Sequence, residues 1–240
     1  MKVNETIVAS AADHRRTSYQ HRAKASFSDR ESGPDTDPDS NFWRPAPAAF
    51  AERDVFGQPV TNHATEIRAL WTHDNLYFLF ICPYLELNLK PGPQTEIETN
   101  ELWKWDVAEV FIGSDFENIR RYKEFEISPQ GEWVDLDIDL EKPHAEGGWL
   151  WNSGCQVAAR IDRSKNTWYG FMRIPYSSID SRIAAAGNLL RVNFFRSQGP
   201  ESHRVEIAWQ PTHNATFHIP DLFGTLELGE PKPRSSHDNR

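Results

Sequence analysis

A chain of 240 residues with a formal net charge of −9, from 35 acidic and 26 basic side chains, offers no positive surface for nucleic acid or an anionic membrane. Aromatics make up 12% although apolar residues reach only 38%, and nine tryptophans exceed the needs of an ordinary core, so some rings are expected to face a ligand. The longest apolar run, LYFLFIC at 76–82, falls well short of the roughly 20 residues that a membrane-spanning helix needs.

Residues 1–17 show no hydrophobic period and read as a disordered tail, as do the polar residues 229–240. The stretch VNETIVASAA after Lys2 is too polar and too brief for a secretory leader, so the protein either stays inside the cell or begins after a removed one. The segment between the tails, 18–228, has no linker and no repeat and reads as one domain. It is a series of short runs with a period of two, expected as strands at 18–27, 65–72, 75–83, 107–113, 121–128, 132–140, 155–162, 167–174, 188–196, 204–209 and 223–228. His73-Asp74-Asn75 and Ser128-Pro129-Gln130-Gly131 supply tight turns between neighbours. Helix is expected only in short pieces, at 175–186 and 47–53. Eleven strands joined by hairpins predict an all-β fold, an antiparallel sandwich of two packed sheets. Cys82 and Cys155 cannot form a disulfide framework; the simpler expectation is two buried free thiols, with a single bridge as the alternative.

Two loops, 84–106 and 141–153, are longer than the rest, and each carries a tryptophan pair: Trp103 with Trp105, and Trp149 with Trp151. Strand alternation places Glu109 opposite Ala108 and Val110, sets Glu124 and Glu126 together on one face, and puts Asp135, Asp137 and Asp139 behind an apolar row. If the three strands are neighbours, Glu109, Glu124, Glu126 and Asp135 gather on one sheet face. Three explanations compete for that cluster: a solvated outer face, a sugar-binding surface, and a calcium site, although no loop has EF-hand spacing. A sugar ring stacks its C–H face on an aromatic ring and offers its hydroxyls to carboxylate, amide and guanidinium groups. ELWKWDVAE at 101–109 supplies that combination, as do RVNFFRSQG at 191–199 and AWQPTHN at 208–214.

The blocks TEIRALWTHDNLYFLF (65–80), WKWDVAEVFIGSD (103–115), YKEFEISPQGEW (122–133), WYGFMRIP (168–175), LLRVNFFRSQG (189–199) and AWQPTHNATFHIPDLFG (208–224) together resemble the pattern of family 9 carbohydrate-binding modules. The resemblance spans roughly 18–228. It implies a jelly-roll-like sandwich related to the DOMON superfamily, non-catalytic binding of a mono- or oligosaccharide of plant cell-wall origin, and a link to polysaccharide catabolism. It places the W-x-x-D-x-x-E motif on Trp103, Asp106 and Glu109, with Trp103 as a stacking wall and Glu109 as a hydroxyl acceptor, and Trp209 as the second wall. Polar contacts on the next strand fall on Glu124 and Glu126, a departure from the amide and guanidinium groups of the pattern. Ala108 departs from the basic residue before the glutamate, and Arg196 or Gln198 could supply the missing donors. The expected site is therefore Trp103, Glu109, Glu124, Glu126, Arg196 and Trp209. Core burial competes with stacking for Trp209, Asp106 is expected to fix a loop, and Trp43 and Trp71 are expected in the core.

Three other classes fit less well. A retaining glycosidase needs two carboxyl groups ~5–5.5 Å apart, which Glu124 and Glu126 could satisfy, but also a proton donor in an apolar enclosure, which an acidic, wet sheet face does not offer. Haem ligation needs Met172 outside the core with a partner such as His203, His213 or His218. His213 and His218 alone make a weak metal pair, so no cofactor is expected beyond structural calcium. The alternative to sugar binding is a sandwich that serves as a structural or protein-interaction domain, to which Glu124 and Glu126 lend weight.

Overall fold

The structure, a computed structural model, describes residues 21–142 and 149–231. The expected tail at 1–17 and most of that at 229–240 lie outside the described residues. The described chain forms thirteen strands: β1 (Arg22–Phe27), β2 (Ala48–Ala51), β3 (Arg53–Asp54), β4 (Thr65–Trp71), β5 (Asn75–Pro83), β6 (Val107–Gly113), β7 (Arg121–Ile127), β8 (Trp133–Asp139), β9 (Gln156–Asp162), β10 (Thr167–Pro175), β11 (Leu189–Gln198), β12 (Val205–Ala208) and β13 (Gly224–Leu228). The eleven expected strands are there, with small shifts at their ends. Two further short strands, β2 and β3, lie where a helix was expected near 47–53. The stretch 175–186 holds only a single 3-10 turn, Tyr176–Ser178.

Ten of the strands make one hydrogen-bonded path in place of two separate sheets, in the order β8-β7-β6-β11-β13-β1-β4-β5-β10-β9, with β12 on β11, β3 on β12 and β2 on β4. β1 is the splice. Arg22–Ala25 run parallel to β13, and Ser26 and Phe27 run parallel to β4, so the all-antiparallel expectation fails at these two pairs. The path folds over into a nearly closed, barrel-like sheet whose halves face each other across the core. Phe194 of β11 meets Phe78 and Phe80 of β5 at ring distances of 5.7 and 6.2 Å. A side chain on Gly170 of β10 would strike Ile127 of β7 at 3.1 Å, so glycine permits the close approach there.

Period-two alternation explains what fills the core. Ala108, Val110 and Ile112 of β6, Phe125 and Ile127 of β7, and Val192 and Phe194 of β11 all turn inward and are buried. The turns behave as their sequences demand. The Thr72 amide donates to the Asn75 carbonyl at 2.9 Å across the β4–β5 hairpin, and Gly131, at φ 91°, donates to the Ser128 carbonyl at 3.1 Å. Trp43 is fully buried and donates its indole N–H to the Asp35 carbonyl at 2.9 Å. Trp71 is buried likewise and donates to the Gly229 carbonyl at 3.0 Å. Met172 packs in the core. Both cysteines are free thiols, Cys82 buried and Cys155 half-buried, and burial pushes each thiol up to about 12.

Trp209 also resolves to the core side. It packs with Val205 and Ile207 against the main cluster, 5.5 Å from the Phe194 ring. A Cβ on Gly224 would sit 2.6 Å from both the Trp209 ring and the His21 carbonyl. Gly224→Ala is therefore expected to cost about 1–3 kcal/mol through forced repacking, read as a lower urea midpoint with an unchanged slope.

Candidate functional site

The outer face of β6, β7, β8, β11 and β12, opposite the core, carries a cleft of about 960 Å³. Register dictates its floor. Across the strands, Phe195 pairs with Glu109, Glu109 with Glu126, and Glu126 with Val134; one step along, Phe111 pairs with Glu124, and Glu124 with Leu136. Neighbours in register share a face. Glu109, Glu124 and Glu126 are thereby gathered as expected. Asp135 is not: it pairs with Phe125, which faces the core side, and accepts a hydrogen bond from the Ser153 amide at 3.0 Å. The apolar row Val134, Leu136 and Ile138 lies on the glutamate side instead. It forms a second cluster with Phe111, Tyr122, Phe195 and Phe223.

Loops raise the walls over this floor. Trp103, Lys104 and Trp105 come from the 3-10 turn Leu102–Lys104 and the residue after it, Trp149 from the loop before β9, Glu201 and Arg204 from the β11–β12 connection, and Phe217 and His218 from the segment after β12. Three of the four loop tryptophans thus border the cleft. The fourth, Trp151, packs against the core, with the Lys123 ammonium 4.3 Å from its ring. Trp103 is 37% exposed, an open indole at the rim. Phe217 stacks flat on Phe195 at 4.2 Å, and His218 lies 5.2 Å from Phe111 with its Nδ1 2.6 Å from the Tyr122 hydroxyl.

Two charged groups hold the walls in place. Asp106, fully buried, accepts from the Gly199 amide at 2.7 Å, the Asn88 amide at 3.1 Å and the Gln198 side-chain amide at 3.1 Å. This is the loop-fixing role expected from the sequence. Arg204 was not singled out there, since nothing in a lone arginine after a polar turn marks it. It donates to the carbonyls of Trp103, Trp105 at 2.9 Å, and Lys104 and Gly199 at 3.4 Å each. Its Nε donates to Glu206 at 2.7 Å, and Glu206 also accepts from the Ser197 hydroxyl at 2.5 Å.

Arg196 lies elsewhere. It pairs with Ala108 and Ile207 on the core side, is fully buried, and donates to the Pro83 carbonyl at 2.7 Å and the Thr65 hydroxyl at 3.2 Å, as well as to Gln198. Of the six expected site residues, Trp103, Glu109 and Glu124 line the cleft. Glu126 sits in the same face but does not border it, and Arg196 and Trp209 lie on the other side of the sheet. His213 stays in a loop with a positive φ of 51°. Among the described residues no group of three or more His, Cys, Asp or Glu side chains is arranged to hold a metal ion, and no helix is long and apolar enough to cross a membrane.

The floor is electrostatically tense. Glu109, Glu124 and Glu126 are at most 4% exposed. Glu109 Oε1, Glu124 Oε2 and both Glu126 oxygens accept no hydrogen bond from a donor group. Burial, reinforced by Glu124 and Glu206, holds the Glu109 carboxyl well above the usual range, and burial with the charges of Glu109 and Glu124 does the same to Glu126. Burial raises Glu124 to about 7, against the lowering effect of a carboxyl–carboxyl contact with Glu126.

With these features in place, the protein falls into the class of all-β domains that set an aromatic-walled, acid-floored cleft on an outer sheet face. The chain belongs to the carbohydrate family 9 binding domain-like family, whose model matches residues 39–230. That family is one of non-catalytic carbohydrate-binding modules. Among solved structures, the fold resembles a family 9 carbohydrate-binding module from Caldicellulosiruptor kristjanssonii, seen in complex with cellotriose and in complex with glucose. In both, the TM-score is 0.64 at 14% identity, over 92% of this chain and all of that one. An "Extracellular protein" of Arthroderma benhamiae is 25% identical over 138 residues, which cover 52% of this chain and 61% of that protein's length.

The raised carboxyls carry a stability consequence. Glu124 keeps its proton up to about pH 7 in the folded protein but only to about 4.5 when unfolded. Between those values the native state binds more protons than the unfolded one, so stability falls as pH rises. Glu98, Glu109 and Glu126 shift in the same direction; His63, held below 6.5 by burial, opposes them, and the lowered carboxyls of Asp115, Asp139 and Asp162 titrate below this window. The urea midpoint is expected to drop as pH is raised from about 4.5 to about 7. Glu124→Gln is expected to flatten that slope.

Proposed function

We propose that the cleft binds a mono- or oligosaccharide without breaking a bond, the sugar ring stacking on Trp103 and its hydroxyls donating to Glu109 and Glu124. The observation that carries this reading is an open indole at the rim of a cleft whose floor holds buried, unsatisfied carboxylate oxygens. An aromatic platform takes the C–H face of a pyranose, and carboxylates take its hydroxyl protons. Trp105, Trp149 and Phe217 supply further apolar wall, a role first given to Trp209. Arg204 replaces Arg196 as the cation of the site, and it acts by holding the Trp103–Trp105 backbone. Glu126 acts from beneath, through the charges of Glu109 and Glu124. The glucose and cellotriose complexes of the similar module make β-1,4-linked glucose units the first ligands to try. In that role the domain would attach a polysaccharide-degrading system to its plant cell-wall substrate.

Trp103 is 37% exposed and lies outside the three buried clusters, so Trp103→Ala is expected to abolish sugar binding with a stability change of about 0.5 kcal/mol or less. Isothermal titration with glucose and cello-oligosaccharides, paired with urea unfolding, checks both halves. Binding that survives the substitution would remove Trp103 from the site.

A further inference from the structure

The floor carboxylates also bear on which sugar fits, an inference that rests on the sugar-binding reading above. Glu109 Oε1 and Glu124 Oε2 belong to side chains 99% and 96% buried that line the cleft and have no donor. The nearby cations are already engaged. All five N–H groups of Arg204 are taken up by Glu206 and four backbone carbonyls. Lys104 bonds to Glu101, and His218 Nε2 stands 4.0 Å from Glu124, beyond hydrogen-bond reach. Glu201 and Glu206 add negative charge to the same walls.

A neutral hydroxyl can donate to one of these oxygens, but it does nothing to favour ionisation of the crowded carboxyls, and a uronic acid would oppose it. A protonated amine brings several N–H donors and the opposite charge in one group, and charge-assisted bonds in a low-dielectric site are stronger than neutral ones. We infer that the cleft selects sugars bearing a free amino group, hexosamine units whose ammonium is held between Glu109 and Glu124 while the ring stacks on Trp103. N-acetylation removes both the charge and two of the donors, so the acetylated sugar loses the advantage.

Cation binding should also expel protons. Glu124, raised to about 7, is partly protonated near neutrality and Glu126 shifts in the same direction, in a field set by Glu109, Glu201, Glu206, Arg204, Lys104, Tyr122 and His218, and an incoming ammonium favours the ionised form. The test compares cellobiose, fully deacetylated chitobiose and N,N′-diacetylchitobiose, three β-1,4 disaccharides that differ at the amino position, by isothermal titration in slightly acidic buffer. The expected result is a preference for the deacetylated amine over cellobiose of about tenfold, equivalent to ~1.4 kcal/mol. Titration of the wild type in two buffers of different ionisation heat should show protons released with the amine and none with cellobiose. Glu109→Gln and Glu124→Gln should each shrink the affinity ratio toward unity, whatever they do to overall affinity. If cellobiose binds as well as the amine, or the amine binds without proton release, amino-sugar selectivity is overturned and sugar binding stands. If none of the three binds, both readings fall.

Discussion

One buried carboxylate holds the mouth of the cleft together. Asp106 gathers the amides of Asn88 and Gly199 and the side chain of Gln198, and so ties the long loop after β5 to the end of β11. It stands just before β6, so the first residues of that strand are fixed with it, and Glu109 three positions on is aimed outward by alternation. Arg204 completes the fastening from the other side through the carbonyls of Trp103 and Trp105. Without this pair of anchors the loop that carries the tryptophans would be free to wander, and an aromatic platform that wanders must be ordered at the expense of binding.

The site opposes the stability of the domain. Three glutamates with no cation in hydrogen-bond range are costly to bury, and the same burial holds the carboxyls of Glu109, Glu124 and Glu126 above their usual range. Phe111, Phe195, Phe217 and Leu136 surround the glutamates with apolar surface. Exposed strand faces elsewhere in the molecule pair their charges, as Lys123 does with Asp137 at 2.6 Å.

Period-two alternation made the strands and most of the core legible, and three of the four tryptophans in the long loops border the cleft on the outer face. What alternation could not give was register. Asp135 and the glutamates carry the same charge and sit on neighbouring strands, but the β7–β8 register pairs residues of like parity, Glu124 with Leu136 and Phe125 with Asp135, and so sends Asp135 through to the core side. Parity was more informative for Arg196 and Trp209, and had already set core burial against stacking for Trp209. Their polarity and aromaticity fit a site, yet their parity matched Phe194 and Ile207, which face inward. Burial of a charged residue at the end of a barrel-like sheet depends on carbonyls from distant segments, such as that of Pro83, and no local pattern announces them. Two separate sheets were expected because hairpins dominate the sequence. The single path exists only because one short strand changes partner midway.

That change of partner governs how the domain can be assembled. β1 is close to the first described residue, and its longer half is held by β13, close to the last. On a ribosome the hairpins β4–β5, β6–β7–β8 and β9–β10 can form as they emerge, but the seam between the two halves must wait until residue 228 is out. The domain therefore closes once, at the end of its synthesis, and until then presents open strand edges to its neighbours.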